Sequence, residues 1–195
     1  KPTTVLLTIG TGIGGGLILG GQIFRGATGA GAELGHVVIQ ADGPPCQGNC
    51  PNHGCVEALA SGTALGREGH AAAESAPDSA LGKLLAAGTE VDGLAVTEAA
   101  LAGDETAIGV FDLIGGRLGV ACASFANIFE PEAIVVGGGV IKAGDLLLDP
   151  ARKEVRARAL NPMNRTPILE ATLGNDAGMI GAAALARVDL EKGRG

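Results

Sequence analysis

Thr4-Val-Leu-Leu-Thr-Ile-Gly-Thr-Gly-Ile-Gly-Gly-Gly-Leu-Ile-Leu19 decides how the rest of the chain is read. Val5–Ile9 and Gly16–Leu19 are short apolar runs of strand length, and Gly10–Gly15 between them is a glycine-rich turn. Gly10, Gly12 and Gly15 satisfy G-x-G-x-x-G, the spacing of a dinucleotide-binding loop. That loop needs a helix opening at its third glycine, so that a pyrophosphate meets the helix N-terminus. Here the chain walks into a second strand and the turn Gly20-Gly21, which predicts a hairpin. G-x-x-x-x-G-K-[ST] is absent. A glycine hairpin still suits phosphate, because residues without side chains let backbone N–H groups form a concave nest around an anion. Thr8 and Thr11 add hydroxyl donors beside Gly10 and Gly12. The alternative is an ordinary tight turn.

Beyond the hairpin, strand and helix signals alternate. His36–Ile39 reads as a strand, and Ser61 as the N-cap of a helix over Gly62–Glu68, with His70 ending an exposed helix. Asp78-Ser79 caps a helix over Ala80–Ala87, and the longest helix runs from about Asp104 to Phe129. Its apolar positions Ile108, Phe111, Leu118, Phe125 and Phe129 make it a spine of the core, and Glu130-Pro131 halts it. Ala133–Val136 is a buried-strand pattern that runs into Gly137-Gly-Gly139. Three glycines at a strand end leave room for a ligand such as a nucleotide base or ribose, or make a plain strand-to-helix connection. A helix over Leu146–Leu160 carries Arg152, Lys153, Arg156 and Arg158 on a solvated face. A last strand, Ile168–Thr172, precedes a helix over Ala177–Val188 with Asp176 as its cap. The alternation predicts an α/β domain, and 195 residues suffice for one sizeable core or one lobe of a larger protein.

Between hairpin and helices lies a different chemistry. Cys46-xxx-Cys50-xxxx-Cys55 has metal-ligand spacing, and Pro44, Pro45, Gly48, Asn49, Pro51, Asn52 and Gly54 are turn formers that let a short loop point its thiols inward. With His36 as a fourth ligand the set suits the closed tetrahedral N/S shell of structural zinc. His53 competes with His36, but a tight loop leaves it solvated. No secretory signal is evident, and three clustered cysteines with a distant fourth make no disulfide framework. Cys122, in an apolar helical run, reads as a small buried hydrophobe. Glu33 and Glu57 bracket the ligand set, and a purely structural metal knuckle needs neither. They suggest a ligand pocket beside the metal.

Composition removes other classes. The net charge is −7 with 14 Lys+Arg, and the only aromatics are four Phe. Phosphate tracking and base stacking both lack their residues, so nucleic acid is not an expected partner. No apolar stretch approaches the ~18 residues of a membrane span, which leads to the expectation of a soluble, cytoplasmic protein. Lys1 runs within a few residues into a strand, an abrupt entry that leads us to expect further sequence upstream.

Together these motifs resemble the ROK family of sugar kinases and sugar-responsive repressors, in particular its bacterial glucokinase branch, over essentially the whole chain. Thr8-Ile-Gly-Thr-Gly-Ile-Gly-Gly15 is similar to the family's second phosphate motif, and Gly29-Ala-Gly-Ala-Glu-Leu-Gly-His36 to its signature ending in E-x-G-H. Cys50 to Glu57 resembles its zinc motif and Val135-Val-Gly-Gly-Gly139 its adenosine segment. The chain departs from the commonest C-x-C-G-x-x-G-C-x-E pattern: two extra residues separate Cys46 from Cys50, and Pro51 stands where glycine is usual. Cys46 is therefore the least secure ligand.

The resemblance implies a two-lobed kinase with the actin-like ATPase, ribonuclease H-like fold, of which residues 1–195 are the C-terminal lobe with a zinc-binding loop. It implies transfer of the γ-phosphoryl of Mg-ATP to the 6-hydroxyl of glucose, with mannose or N-acetylated hexosamines as lesser candidates and polyphosphate as a lesser donor. Glu33, His36 and Glu57 would hold sugar hydroxyls. Thr8, Gly10, Thr11, Gly12 and Gly137, Gly138, Gly139 would hold the nucleotide. His36, Cys46, Cys50 and Cys55 would hold a structural zinc. Self-association as a homo-oligomer is a family tendency. The family's catalytic aspartate, in an N-D-x-N-like segment, and its D-x-G-G-T motif lie upstream of the hairpin; neither occurs before Thr8. Asn175-Asp176-Ala177 resembles the base motif only superficially, so no catalytic residue is assigned and this chain alone is expected to be inactive. A repressor's sugar-binding effector domain is the alternative.

Overall fold

The computed structural model describes residues 1–192. β1 (Thr4–Ile9) and β2 (Ile13–Leu19) form the expected hairpin, paired in register from Thr4↔Ile18 to Ile9↔Ile13. Its turn is shorter than the glycine count suggests. Gly14, Gly15 and Gly16 are strand residues opposite Thr8, Leu7 and Leu6, and only Gly10-Thr-Gly12 turns the chain. Gly15 is required by an approaching backbone: a Cβ there would stand 2.3 Å from the Ala32 carbonyl oxygen. Gly20-Gly21, both at positive φ, then return the chain into β3 (Gln22–Ile23), antiparallel to β2.

β4 (Ala133–Gly137) lies parallel to β1 and β5 (Ile168–Glu170) parallel to β4, which gives one five-stranded sheet in the order β3-β2-β1-β4-β5. Parallel neighbours need crossover connections, and helices supply them. Between β1 and β4 in the sheet, the chain makes α1 (Val56–Ala60), α2 (Gly62–Ser75), α3 (Ala80–Ala86), α4 (Gly93–Leu101) and α5 (Glu105–Phe129); α6 (Asp145–Arg158) links β4 to β5. α7 (Ala177–Lys192) follows the sheet.

The helix starts follow their caps. Ser61 accepts a hydrogen bond from Ala64 N–H, Ser79 from Gly82, Asp92 from Ala95 and Asp104 from Ala107, which satisfies amides that have no partner within the helix. α2 runs a further turn and more beyond Glu68, so His70 sits within it. α5 ends at Glu130 in the left-handed conformation, φ 43°.

Val5, Leu7 and Ile9 of β1 and Ile134 and Val136 of β4 alternate inward and join Phe111, Ile114, Leu118 and Phe125 of α5 and Leu147, Leu148 and Val155 of α6 in one buried cluster. α5 is long and apolar enough by composition to cross a membrane, contrary to the expectation that no such stretch exists, yet here it is the largely buried spine of the core. Arg152, expected on a solvated face, ties α6 to β5: its Nε and Nη2 donate to the Ile168 carbonyl at 3.2 and 3.1 Å, and its Nη1 reaches Asp145 and Asp149. The other sheet face leaves Leu6, Ile18 and Leu169 exposed.

One predicted strand does not form. Leu34–His36 is a single 3-10 turn, and Val37 and Val38 are exposed without joining the sheet. Their backbone pairs instead with the cysteine loop: Ile39 N–H donates to Gly54, Val56 N–H donates to Val37, and Val38 bridges Cys55. The apolar β-branched run was a strand signal, but its partner is a loop and not the sheet.

Candidate functional site

His36 reaches the cysteine loop through that pairing. Its Nδ1 lies 3.5 Å from Cys46 Sγ, and Cys50 Sγ lies 3.9 Å from Cys55 Sγ. The four donor atoms all fall within 4.8 Å of one another. A tetrahedral zinc with Zn–S near 2.3 Å separates its sulfurs by about 3.8 Å, so the arrangement fits that ion closely. Cys46 belongs to the set although its spacing departs from the family pattern. His53 does not; its Nδ1 sits 3.2 Å from the Gly43 carbonyl oxygen.

The thiols are unequal without metal. Burial, then hydrogen bonds with Cys46 and Cys50, push the Cys55 thiol up to about 12. Burial also raises Cys46, whereas a backbone hydrogen bond from Asn52 holds Cys50 below the ordinary thiol range. A divalent ion displaces such protons when thiolates ligate it. Cys122 is fully buried and likewise pushed to about 12 by burial, as befits an inert core thiol.

Glu57 lies in the first turn of α1, two residues after Cys55. Its Oε2 accepts the Ile13 N–H at 2.7 Å, and its Oε1 lies 3.9 Å from Cys46 Sγ. The carboxylate therefore joins the His/Cys cluster to the glycine hairpin, a contact across 44 residues that no local pattern announces. Glu33 is exposed at the start of the 3-10 turn that carries His36, and its carbonyl accepts the His36 N–H at 3.1 Å. His36 and Glu57 thus meet at the cysteine loop, each beside Cys46, whereas Glu33 is tied to His36 through its backbone.

The turn itself is held from two sides. Gly62 N–H donates to the Gly10 carbonyl at 2.8 Å and Thr63 Oγ1 to the Thr11 carbonyl at 2.9 Å. Gly10 N–H donates to Gly12. Gly10 and Thr11 line a cleft of ≈ 720 Å³ together with Gly139 and Val140, the first turns of α2 and the start of α4. Val91, Leu94 and Val140 give it apolar walls, and Glu90, Asp92, Arg67, His70 and Lys142 mixed charges.

Of the seven residues expected at a nucleotide, the structure places Gly10, Thr11 and Gly139 in this cleft; Thr8, Gly12, Gly137 and Gly138 are not among its lining residues. Gly138 is at φ 96°, and a Cβ there would stand 2.4 Å from the Ile9 carbonyl, so β4 closes against the end of β1 only because it is glycine. The contributions of Gly62, Thr63, Gly66 and Gly93 escaped the sequence reading. Their signal was small residues at i, i+4 following a cap, which opens a helix face to a ligand. Asp176 lies exposed directly before α7, the position expected of a cap.

Comparison with known proteins gives the geometry its context. The model of the ROK family matches residues 2–189. A glucokinase of Thermotoga maritima is 38% identical over 182 residues, covering 93% of this chain and 57% of the relative. The crystal structure of a ROK family glucokinase from Streptomyces griseus, in complex with glucose and AMPPNP, superposes with a TM-score of 0.85 at 39% identity, covering 95% of this chain and 61% of that one. A ROK family transcriptional regulator, a homologue of the E. coli MLC protein, superposes with a TM-score of 0.75 at 31% identity over 87% of this chain and 42% of its own. The chain thus spans about three fifths of the length of the glucokinases it matches. Its mixed α/β sheet and helices are those of the actin-like fold of ROK sugar kinases. This chain belongs to the ROK family.

Proposed function

We propose that this chain is the larger, C-terminal lobe of a glucokinase that transfers the γ-phosphoryl of Mg-ATP to the 6-hydroxyl of glucose. The observation that carries the reading is that one turn serves both places: Gly10 and Thr11 line the cleft, while Gly12 abuts Glu57, which accepts the Ile13 N–H and lies 3.9 Å from Cys46 Sγ. A nucleotide in the cleft would lay its phosphates along the turn, pointed at a sugar held by Glu33, His36 and Glu57. Phosphoryl transfer asks mainly for such positioning and for charge stabilisation. The apolar walls suit a base and ribose better than a bare polyphosphate.

Zinc would be held by His36, Cys46, Cys50 and Cys55, and when bound it supplies a rigid scaffold and no open coordination site. Ligation through Nδ1, the nitrogen beside Cys46, leaves the His36 Nε2 N–H as a donor of fixed direction for a hydroxyl. The carboxylates accept hydrogen bonds from other hydroxyls. The base that deprotonates the attacking hydroxyl is an aspartate upstream of Thr8 in the family pattern, so residues 1–195 alone bind but do not turn over. Glucose-dependent ADP release by this segment alone would sink that assignment.

The likeness to the transcriptional regulator favours a second reading, a sugar-sensing effector domain. The residues encoded upstream of Lys1 decide between them: a winged helix-turn-helix supports the sensor, an N-D-x-N segment the kinase.

A further inference from the structure

The hairpin turn has almost no side chains with which to hold its own shape. The Gly12 carbonyl accepts from Gly10 N–H within the turn, but the carbonyls of Gly10 and Thr11 depend on bonds made from outside. Because each peptide is planar, fixing the Thr11 C=O also fixes the Gly12 N–H on the opposite side of the same plane, and the Gly10 C=O fixes the Thr11 N–H in the same way. The direction of the amides offered to a phosphate is thus set by whatever holds the carbonyls.

Two of those holders, Gly62 and Thr63, belong to α2. A third is Gln47. It directly follows Cys46, so its backbone is pinned once that thiol is held in the cluster beside His36. Its half-buried side chain donates from Nε2 to Ser61 Oγ at 3.0 Å and reaches the Thr11 carbonyl oxygen at 3.5 Å. Ser61 is fully buried and caps α2, the helix that supplies Gly62 and Thr63. Gln47 therefore touches the turn directly and also the cap from which its other supports begin. It occupies part of the Cys46–Cys50 interval.

We propose that Gln47 is a positioning residue that couples occupancy of the His36/Cys46/Cys50/Cys55 cluster to the shape of the Gly10–Gly12 turn, and hence to affinity for the donor's phosphates. Metal bound at Cys46 holds the start of the loop, Gln47 carries that constraint to Ser61 and Thr11, and the amides of the turn stay aimed. The inference rests on the reading of the turn as a phosphate cradle. It adds that metal content sets donor affinity, through one named side chain.

The test is calorimetry of Mg-AMPPNP and of glucose on the full-length protein, with zinc content measured on the same samples. Gln47→Met keeps the length of the side chain without a donor, and Gln47→Ala is the second variant. Both should bind AMPPNP about fivefold more weakly, the effect of losing one hydrogen bond, with glucose affinity and zinc content unchanged. Chelation should weaken AMPPNP binding of the wild type, and by a smaller factor in Gln47→Met, the non-additivity of a shared route. Equal AMPPNP affinity of wild type and both variants, or an equal chelation factor in wild type and Gln47→Met, overturns the coupling alone. A wild type that does not bind AMPPNP overturns the cradle reading and the coupling with it.

Discussion

Glu57 serves two neighbours at once, and its two oxygens let the services be separated. Oε2 holds the Ile13 amide, whereas Oε1 lies 3.9 Å from Cys46 Sγ, where the proposed sugar would bind. Glu57→Gln retains a carbonyl acceptor for Ile13 but loses the charge, so glucose affinity should fall about tenfold while AMPPNP affinity stays within about twofold, charged hydrogen bonds being the stronger kind. Glu57→Ala strands the Ile13 N–H and should weaken both ligands in calorimetry. Parallel loss in Glu57→Gln would show that the carboxylate acts only on the hairpin. Gly138 and Gly139 make a second contrast. Gly138→Ala forces a side chain at φ 96° against the Ile9 carbonyl and should cost at least about 1–3 kcal/mol, read as a lower melting temperature. A Cβ at Gly139 meets nothing within 4 Å, so Gly139→Ala should melt as the wild type does and yet bind AMPPNP less well, because it lines the cleft. Sequence picked out Glu57 and the triple glycine by type and spacing; it did not show what each one touches, because those contacts join segments far apart in the chain.

At the scale of elements, one acid adds an ion pair to the apolar packing between α2 and α5. Glu68 Oε1 accepts from Arg117 and from Arg67, both at 2.9 Å. Burial opposes the charge on Glu68, but the hydrogen bonds from Arg117 and then Arg67 outweigh it and hold the carboxyl below its ordinary range. A depressed folded-state value stabilises the fold above the unfolded value of about 4.3, and the contribution is lost as pH falls through the folded value. Glu68→Gln should therefore be less stable than wild type at pH 7 by up to about 1 kcal/mol, the modest worth of a partly exposed pair. The difference between the two in denaturation curves should shrink as pH falls below about 4.3 and vanish below the folded-state value of Glu68. A gap that persists in acid would assign the effect to packing. The helices were legible because Ser61, Ser79 and Asp104 are capping residues placed just ahead of helix-forming runs, and their starts fall where those caps put them. Val37 and Val38 misled because β-branching reports a liking for extended backbone and not which partner it pairs with. Gly15 misled for the opposite reason: it resembles a turn glycine, but in β2 it is the approaching Ala32 carbonyl that requires the absence of a side chain.

For the molecule as a whole, alternating strand and helix signals sufficed for the α/β class. The parallel placement of β4 beside β1 is what brings the triple glycine to the hairpin, and it joins segments more than a hundred residues apart. The cleft was the least legible feature, since its walls come from the hairpin, α2, α4 and the turn after β4. The turn that it shares with the surroundings of Glu57 is the core of the account, with the proposed donor in the cleft and the proposed acceptor beside Glu57. A steady-state assay of the full-length protein with glucose and Mg-ATP tests this most directly. The account predicts ADP release that requires glucose and yields glucose 6-phosphate in equal amount; glucose bound tightly with no phosphoryl transfer would contradict it.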